Sequence, residues 1–122
     1  MAKDLKISFL LDFYGDLLTD KQREAVEFYY NDDLSLSEIA ANQGITRQGV
    51  RDAIKRAEAL LLDMEQRLGL AKRFRTMQEG LEAIRLSAEH IEACNGRYSY
   101  SREIHEEAGR IMATADRLLE EG

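Results

Sequence analysis

Apolar residues recur at steps of three and four along nearly the whole chain, which is the spacing of helices that bury one face. The strict alternation of apolar and polar residues that is typical of strands is missing, and the chain contains no proline. The pattern therefore predicts an all-α fold. In the first segment, with a break expected at Gly15, one face carries Ile7, Leu10, Leu11, Tyr14, Leu17 and Leu18.

Two capping boxes indicate helix starts in the first half. Residues 19–22 (TDKQ) and 35–38 (SLSE) each place a hydroxyl three positions before a Gln or Glu, so that both side chains satisfy free amides of the first turn. The turn sequence 31–33 (NDD) lies between them. The first helix is expected to run to about Tyr30 and the second to about Gln43. The first is expected to bury Ala25, Val26 and Tyr29.

The second of these helices is followed by a tight turn and another helix. Gly44 suits the turn, Thr46 can cap the next helix, and Ala40 is small enough for the two helices to cross closely. This arrangement predicts a helix-turn-helix motif. The side chains expected to be buried and to fix the crossing angle are Ile39, Ile45, Val50 and Ile54.

The helix after the turn is predicted to be long. Its apolar positions alternate steps of four and three as far as Gly69, so it extends about three turns beyond any contact with a nucleic-acid groove. The first half thus predicts a bundle of four helices, without a wing. The apolar positions of the long helix are Val50, Ile54, Ala57, Leu61, Met64 and Leu68.

A second region is predicted from about residue 76. Residues 76–79 (TMQE) have the form of a third capping box, Gly96 can end that helix in the left-handed conformation, and Ser101 can start another. Each helix carries a narrow apolar stripe: Met77, Leu81, Ile84, Ala88 and Ile91 on the first, and Ile104, Ala108, Ile111, Ala115 and Leu118 on the second.

Two such helices form an αα-hairpin that cannot hide both stripes by itself. It must pack on the first half or on a second copy of the chain. We therefore expect a helix-turn-helix domain over residues 1–75 and an αα-hairpin over residues 76–122, the latter a candidate element for a homodimer. Tyr98 and Tyr100, in the hairpin turn, either close the hairpin or contact a partner.

Length and composition limit the class of protein. A chain of 122 residues, 44% apolar and 33% charged, can bury a core and is neither disordered nor inserted in a membrane. The start of the chain does not have the form of a signal peptide. The single Cys94 fits a reducing compartment and excludes a cysteine cage for a metal. We expect a cytoplasmic protein.

The net charge of -6 is unevenly distributed. Residues 77–122 hold 5 basic and 10 acidic side chains, whereas residues 44–75 hold 8 basic and 4 acidic ones. The predicted helix-turn-helix is therefore locally basic. This removes the simplest objection to nucleic-acid binding, although strong binders are usually far more basic.

The outer face of the long helix carries candidate nucleic-acid contacts. With Val50 pointing inward, a rotation of 100° per residue places Gln48 and Asp52 outward. Gln and Arg side chains can hydrogen-bond base edges, and Arg and Lys can contact phosphates. The candidate binding residues are Arg47, Gln48, Arg51, Lys55 and Arg56.

Asp52 opposes this interpretation because a carboxylate in a groove would lie near phosphates. It would be tolerated if it accepted a hydrogen bond from cytosine or paired with Arg56 one turn on. Two alternatives remain open: contact with an RNA or protein surface, or a solvated face laced by ion pairs.

No enzyme motif is present. The chain has no phosphate-binding loop, no Gly-rich nucleotide fingerprint and no catalytic triad. His90 and His105, on separate helices, are interpreted as partly exposed rather than metal-ligating. We interpret Asp12, Asp16 and Asp20 as residues of the solvent-exposed face of the first helix and of a helix cap. We expect no catalytic residue, no metal and no cofactor.

Three blocks of the sequence resemble the YlxM family of small bacterial helix-turn-helix proteins, which are similar to the promoter-reading region 4 of sigma factors. The blocks are DFYGDLLTDKQ (12–22), FYYNDDLSLSEIA (28–40) and GITRQGVRDAIKRAE (44–58). Gly49 departs from the alanine expected there. The residues that match the family's recognition helix are Thr46, Arg47, Gln48, Val50, Asp52, Ile54, Lys55 and Arg56.

The resemblance covers roughly residues 5–70 and implies an all-α, cytoplasmic, dimeric protein. The family's genes typically neighbour those of the signal recognition particle GTPase and its receptor, which implies a regulatory role in protein targeting, with components of that particle as partners. Two other functions remain open: a dimeric DNA-binding transcriptional regulator, and a protein-binding adaptor whose helix-turn-helix is only a scaffold.

Overall fold

The structure is a computed structural model that describes residues 2–97 and 99–121. These residues form helices and turns with no strand, which confirms the all-α prediction. The chain divides into two compact units, Met1–Ala71 and Lys72–Gly122. The helices are α1 (Lys6–Tyr14), a 3-10 turn (Gly15–Leu17), α2 (Asp20–Tyr30), α3 (Leu36–Gln43), α4 (Arg47–Leu68), α5 (Leu70–Asn95) and α6 (Arg102–Glu121).

Both capping boxes predicted in the first half are formed. Thr19 Oγ1 accepts from Gln22 N at 3.2 Å, and Gln22 Oε1 accepts from Thr19 N at 3.1 Å. Ser35 and Glu38 make the equivalent pair of hydrogen bonds at the start of α3, both at 3.1 Å. The turn before α3 places Asp33 at a φ of 56°, a left-handed conformation that aspartate tolerates better than most residues.

Helix α4 packs against α1, α2 and α3 and closes the core of the first unit. The residues that α2 was predicted to bury are buried. The core has two clusters. One contains Ile7, Leu10, Leu11, Tyr14, Leu18, Val26, Ala57, Leu61 and Ala71, and the other contains Ala25, Tyr29, Ile39, Ala40, Val50 and Ile54.

Two side chains predicted to be buried are exposed. Leu17 is 63% exposed because α1 ends at Tyr14, and the tighter 3-10 turn that follows rotates Leu17 away from the buried face while Leu18 stays in it. Ile45 is 47% exposed because it lies at the tip of the turn, directly after Gly44. The crossing of α3 and α4 is therefore fixed without Ile45.

The junction between α4 and α5 is held by polar groups of the first unit. Gly69 ends α4 at a φ of 64°, and Leu70 N then donates to Tyr14 Oη at 3.1 Å. Glu65 Oε1 accepts from Ala71 N at 3.0 Å and from the Tyr14 hydroxyl at 2.7 Å. Burial, with the hydrogen bond to Glu65, raises the pKa of the Tyr14 phenol.

The helix start predicted at Thr76 is wrong, since Thr76 lies inside α5. Local sequence suggested a cap there, but α5 starts six residues earlier, at Leu70. Its first amides donate to two side chains outside the helix. Leu70 N donates to Tyr14, which is 56 residues away, and Ala71 N donates to Glu65, which is 6 residues away. Thr76 therefore has no free helix terminus to cap.

Helices α5 and α6 form the hairpin of the second unit. Helix α5 ends at Asn95 as predicted, but Gly96 does not adopt the left-handed conformation. The buried Asn95 side chain closes the turn instead, because its Nδ2 donates to Ser101 O at 2.7 Å and its Oδ1 accepts from Ser101 N at 3.0 Å. Tyr98 lies outside the described residues, and Tyr100 is exposed beside the His105 ring.

Small residues fill the contact between the two hairpin helices. Ala88, Ala108 and Ala115 are at most 2% exposed. An ion pair between Arg85 and Asp116 and a hydrogen bond between His105 Nδ1 and Glu92 Oε1 also cross between the helices. Leu81 is partly buried, but the other large residues of the predicted stripes stay between 38% and 67% exposed: Met77, Ile84, Ile91, Ile104, Ile111 and Leu118.

Candidate nucleic-acid interface

Helix α3, the turn and the start of α4 have the geometry of a helix-turn-helix. Gly44 adopts a φ of 69°, in which any residue with a Cβ atom would be strained. The amides of Gly44 and Ile45 both donate to Ala40 O, at 2.9 and 3.2 Å. Gln43 Nε2 donates to Lys21 O and so joins the end of α3 to α2. These hydrogen bonds hold the turn against the end of α3 and hold the end of α3 against α2.

The rotation of α4 about its axis is fixed by its buried side. Val50 and Ile54 are fully buried in the cluster that α2 and α3 share with α4. Thr46 Oγ1 accepts from Gly49 N at 3.0 Å and caps the helix as predicted. The five predicted binding residues are brought together on the opposite, exposed side of α4: Arg47, Gln48, Arg51, Lys55 and Arg56.

The cations of this face are unpaired. Within residues 2–97 and 99–121, no carboxylate lies within ion-pair distance of the four Arg and Lys side chains on this side of α4. The interpretation that these residues form ion pairs with one another's neighbours is therefore wrong. Arginines elsewhere are paired, for example Arg23 with Glu27 and Arg67 with Asp63. The unpaired set, named here the α4 basic face, is Arg47, Arg51, Lys55 and Arg56.

The carboxylate at the centre of the face is held by an amide. Gln48 Nε2 donates to Asp52 Oδ1 at 3.0 Å, whereas pairing of Asp52 with Arg56 was one expectation from the sequence. The four-residue spacing of Gln48 and Asp52 was visible in the sequence and could have suggested this bond. This bond uses one of the two Nε2 protons of Gln48 and leaves the other proton and Oε1 available. The face therefore combines four exposed cations, which suit phosphates, with a Gln48 side chain that is held against Asp52.

Gly49 lies directly under the cap of α4. A Cβ atom at this position would lie 3.1 Å from Thr46 Oγ1 and 3.6 Å from Ile45 Cδ1. The glycine therefore leaves room beside the turn but weakens the first turn of α4, since glycine is a poor helix former.

A polar contact far from the turn fixes the middle of α4. The Tyr30 hydroxyl donates to Glu58 Oε1 at 3.1 Å and accepts from Asp4 N at 3.2 Å. Burial raises the pKa of Tyr30 to about 12. The sequence carries no local signal for this contact, because Tyr30 is 26 residues from Asp4 and 28 residues from Glu58.

Within the described part of the chain, every helix is either too short or too polar to span a membrane. The same residues contain no group of three or more His, Cys, Asp or Glu side chains placed to hold a metal ion.

Comparison with known proteins gives one consistent family. A UPF0122 protein of Shouchella clausii is 46% identical over 98 residues, which are 78% of this chain and 90% of that protein. A UPF0122 protein of Thermoanaerobacter sp. is 49% identical over 87 residues, 71% of this chain and 74% of that protein. One of Caldanaerobacter subterraneus is 52% identical over 81 residues, 66% and 69% of the two chains.

The family described as "Putative helix-turn-helix protein, YlxM / p13 like" matches residues 1–96, which include the whole helix-turn-helix and all of α5. That family is a helix-turn-helix family and not an enzyme family. The resemblance inferred from the three sequence blocks is thereby confirmed, and the chain belongs to the UPF0122 family of YlxM/p13-like helix-turn-helix proteins.

Proposed function

We propose that this chain is a non-enzymatic regulator that works in the cytoplasm, contacts nucleic acid through the α4 basic face, and takes part in the signal recognition particle pathway. The observation that carries the proposal is that all four cations of this face are exposed and unpaired. A cation without a carboxylate partner gives up no ion pair when it binds a phosphate, so its charge contributes fully to counterion release.

The hydrogen bond between Gln48 and Asp52 favours contact with phosphates over reading of bases. Phosphate contacts need only exposed cations, whereas a base contact by Gln48 would have to use the one Nε2 proton and the Oε1 that this bond leaves free, from a side chain held against Asp52. An RNA helix also has a major groove too narrow for α4, so contact with RNA would be made to its backbone or its loops. We therefore propose RNA of the targeting particle as the partner, bound with little sequence preference.

The targeting role itself rests on the family resemblance and on gene neighbourhood. The proposal includes a second copy of the chain as a partner, because the hairpin leaves an apolar surface exposed. If the tests contradict RNA binding, two other functions are the alternatives: a DNA-binding transcriptional regulator and a protein-binding adaptor.

The test is binding of the purified chain to the particle's RNA, an unrelated structured RNA and duplex DNA, at 50 and 200 mM salt. We expect binding to the particle's RNA that weakens as salt rises. Replacing Arg51, Lys55 and Arg56 together by Ala should abolish most of this binding. The slope of log affinity against log salt should become shallower by about 0.7–0.9 for each phosphate that the variant no longer binds.

The matched control replaces Arg102, Arg110 and Arg117 of α6 by Ala. This variant changes the net charge by the same amount as the first variant does. The arginines that it removes are exposed, and each forms an ion pair with a glutamate of α6. It should bind RNA like the original chain. Equal losses of affinity in both variants would show that only net charge matters and would contradict the proposal. Preference for one duplex DNA would favour the transcriptional regulator, and no binding to any of the three would favour the adaptor.

A further inference from the structure

One carboxylate lies among the cations of the α4 basic face, near the centre of the exposed side. With Val50 as the inward direction, helical rotation places Asp52 within about 20° of the direct outward direction. Lys55 then lies about 60° to one side of Asp52, and Arg56 lies about 40° to the other side. All three side chains are exposed. The centre of the face therefore presents a negative acceptor between two positive groups.

This carboxylate is held in place without being neutralised. Asp52 Oδ1 accepts from Gln48 Nε2 at 3.0 Å, and an amide carries no charge, so the bond orients Asp52 and leaves its charge intact. Lys55 and Arg56 lie three and four positions on, where side chains of a helix are close enough to pair. In the described part of the chain neither of them pairs with Asp52, and Asp52 Oδ2 accepts no hydrogen bond. Both the acceptor and the cations are thus available to a ligand.

A surface of this kind complements the ribose of RNA. A carboxylate only accepts hydrogen bonds, and Arg and Lys side chains bind phosphates. In an RNA strand each ribose lies between two phosphates and carries a 2′-hydroxyl, which can donate a hydrogen bond. The wide minor groove of an RNA helix displays these hydroxyls, so a ligand can reach them without entering the narrow major groove. One acceptor between two cations therefore matches one hydroxyl between two phosphates.

DNA offers this carboxylate much less. Deoxyribose has no 2′-hydroxyl. In the major groove of DNA the only donors are the amino groups of adenine and cytosine, and acceptors lie beside each of them. Asp52 would gain a hydrogen bond only where it meets such an amino group, and elsewhere it would face acceptors or phosphates. We expect Asp52 to weaken binding to DNA, since like charges repel, and to strengthen binding to RNA.

We propose that Asp52 is the residue by which the α4 basic face distinguishes RNA from DNA. Its carboxylate accepts a hydrogen bond from a ribose 2′-hydroxyl while Lys55 and Arg56 contact the phosphates on either side. Gln48 is a positioning residue, because it acts on the RNA through Asp52. Every ribose of RNA carries the hydroxyl, so this selection requires no preferred sequence. The inference rests on the proposed contact with RNA and names the residue that selects RNA.

The test compares three forms of one synthetic hairpin: RNA, the same sequence with 2′-fluoro on every ribose, and DNA. Fluorine preserves the RNA-like helix but donates no hydrogen bond. At about 50 mM salt the original chain should bind the RNA form about tenfold more tightly than the fluoro form, as expected for one hydrogen bond to a charged group. Asp52→Ala should bind these two forms equally, and it should bind the DNA form more tightly than the original chain does.

The matched control is Asp63→Ala, which removes the same charge from another exposed position of α4, about 16 Å further along the helix. This variant should keep the tenfold preference for the RNA form over the fluoro form. Gln48→Ala removes the bond that orients Asp52 and should retain only part of the preference. Alanine favours helix, so none of these exposed substitutions should unfold α4, and circular dichroism checks this.

Each way in which the test can fail has a different meaning. Equal binding of the RNA and fluoro forms by the original chain would overturn this inference and leave the proposed RNA binding intact. A preference for the RNA form that persists in Asp52→Ala would assign the hydroxyl to another residue, and the inference would again be wrong. A chain that binds no form of the hairpin would overturn the proposed RNA binding, and this inference with it.

Discussion

The two units of this chain use similar helices but bury different residues. In the first unit, helix α4 is surrounded by α1, α2 and α3, and every large residue of its inner side from Val50 to Leu61 is fully buried. In the second unit, the inner side of α6 buries only Ala108 and Ala115, while the large residues one step around the helix are exposed. An amphipathic pattern thus gives a complete core only where enough helices are available to cover it.

The difference also separates the roles that we propose for the two units. The first unit stabilises the orientation of α4 and leaves its polar side accessible, which suits a binding surface on a rigid support. The second unit leaves an apolar surface accessible, which suits association. The net negative charge is shared by both units, with 9 basic and 13 acidic side chains in residues 1–71 and 8 basic and 10 acidic ones in residues 72–122. The unpaired cations of the α4 basic face lie in the first unit.

The largest expected effect is a difference in the free energy of unfolding that is lost when one isoleucine in each unit is replaced by alanine. Ile54→Ala should lower the free energy of unfolding by about 2–5 kcal/mol, because it opens a cavity in a closed core. Ile84→Ala, at a protein concentration too low for dimers, should cost less than about 1 kcal/mol, because that side chain is half exposed. Urea unfolding followed by circular dichroism measures both. Equal losses of stability at low concentration would mean that the hairpin already has a closed core.

A smaller effect is expected from alkaline pH, and it concerns the first unit. The folded state holds the Tyr30 phenol protonated, with a pKa of about 12, while an unfolded tyrosine titrates near 10. Stability from this group is complete below pH 10 and is lost as the pH rises towards 12, because the unfolded chain then releases its proton first. The full linkage is reduced because Tyr30 is only partly buried, so we expect a loss of about 1 kcal/mol.

The measurement is urea unfolding at pH 9 and pH 11 for the original chain and for Tyr30→Phe. The variant lacks the titrating group and should show a smaller loss of stability between the two pH values. Tyr100→Phe, which changes an exposed tyrosine of the hairpin, is the control and should lose as much stability as the original chain. An unchanged pH dependence in Tyr30→Phe would show that the phenol does not couple to folding.

The smallest effect compares two helical glycines. In Gly109→Ala, on α6, the new Cβ meets nothing within 4 Å, so the gain in helix propensity of up to about 1 kcal/mol should be realised. In Gly49→Ala, on α4, the Cβ lies 3.1 Å from Thr46 Oγ1, so the exposed cap must shift and a smaller gain is expected. Hydrogen exchange of amides in α4 and α6 measures each gain locally. A larger gain at Gly49 would show that the cap relaxes at no cost.

Much of the first unit could be predicted because its signals are local. A capping box needs residues three apart, and a helix-turn-helix needs a glycine between two short amphipathic runs. The starts of α2, α3 and α4 and the place of Gly44 in the turn were found in this way. The positions of Arg51, Lys55 and Arg56 on one exposed side followed from helical periodicity alone.

The features that could not be predicted depend on residues that are distant in sequence. The start of α5 at Leu70 requires the Tyr14 hydroxyl, 56 residues away, so the local pattern at Thr76 was misleading. The exposure of Ile45 depends on which neighbours reach the turn. The absence of ion pairs on the α4 basic face depends on which carboxylates the fold brings near, and charge spacing gives no information on that.

The sequence by itself determined the all-α class, the helix-turn-helix and the exposed side of α4, because periodicity and capping act over a few residues. The family followed from the three sequence blocks that resemble it. The tertiary structure decided which side chains are enclosed and which polar groups meet. It placed the Gln48 amide against Asp52, joined Tyr14 to the start of α5, and left Ile84, Ile91 and Ile111 of the hairpin exposed. These outcomes depend on the packing of whole helices, since burial requires neighbours from several elements at once.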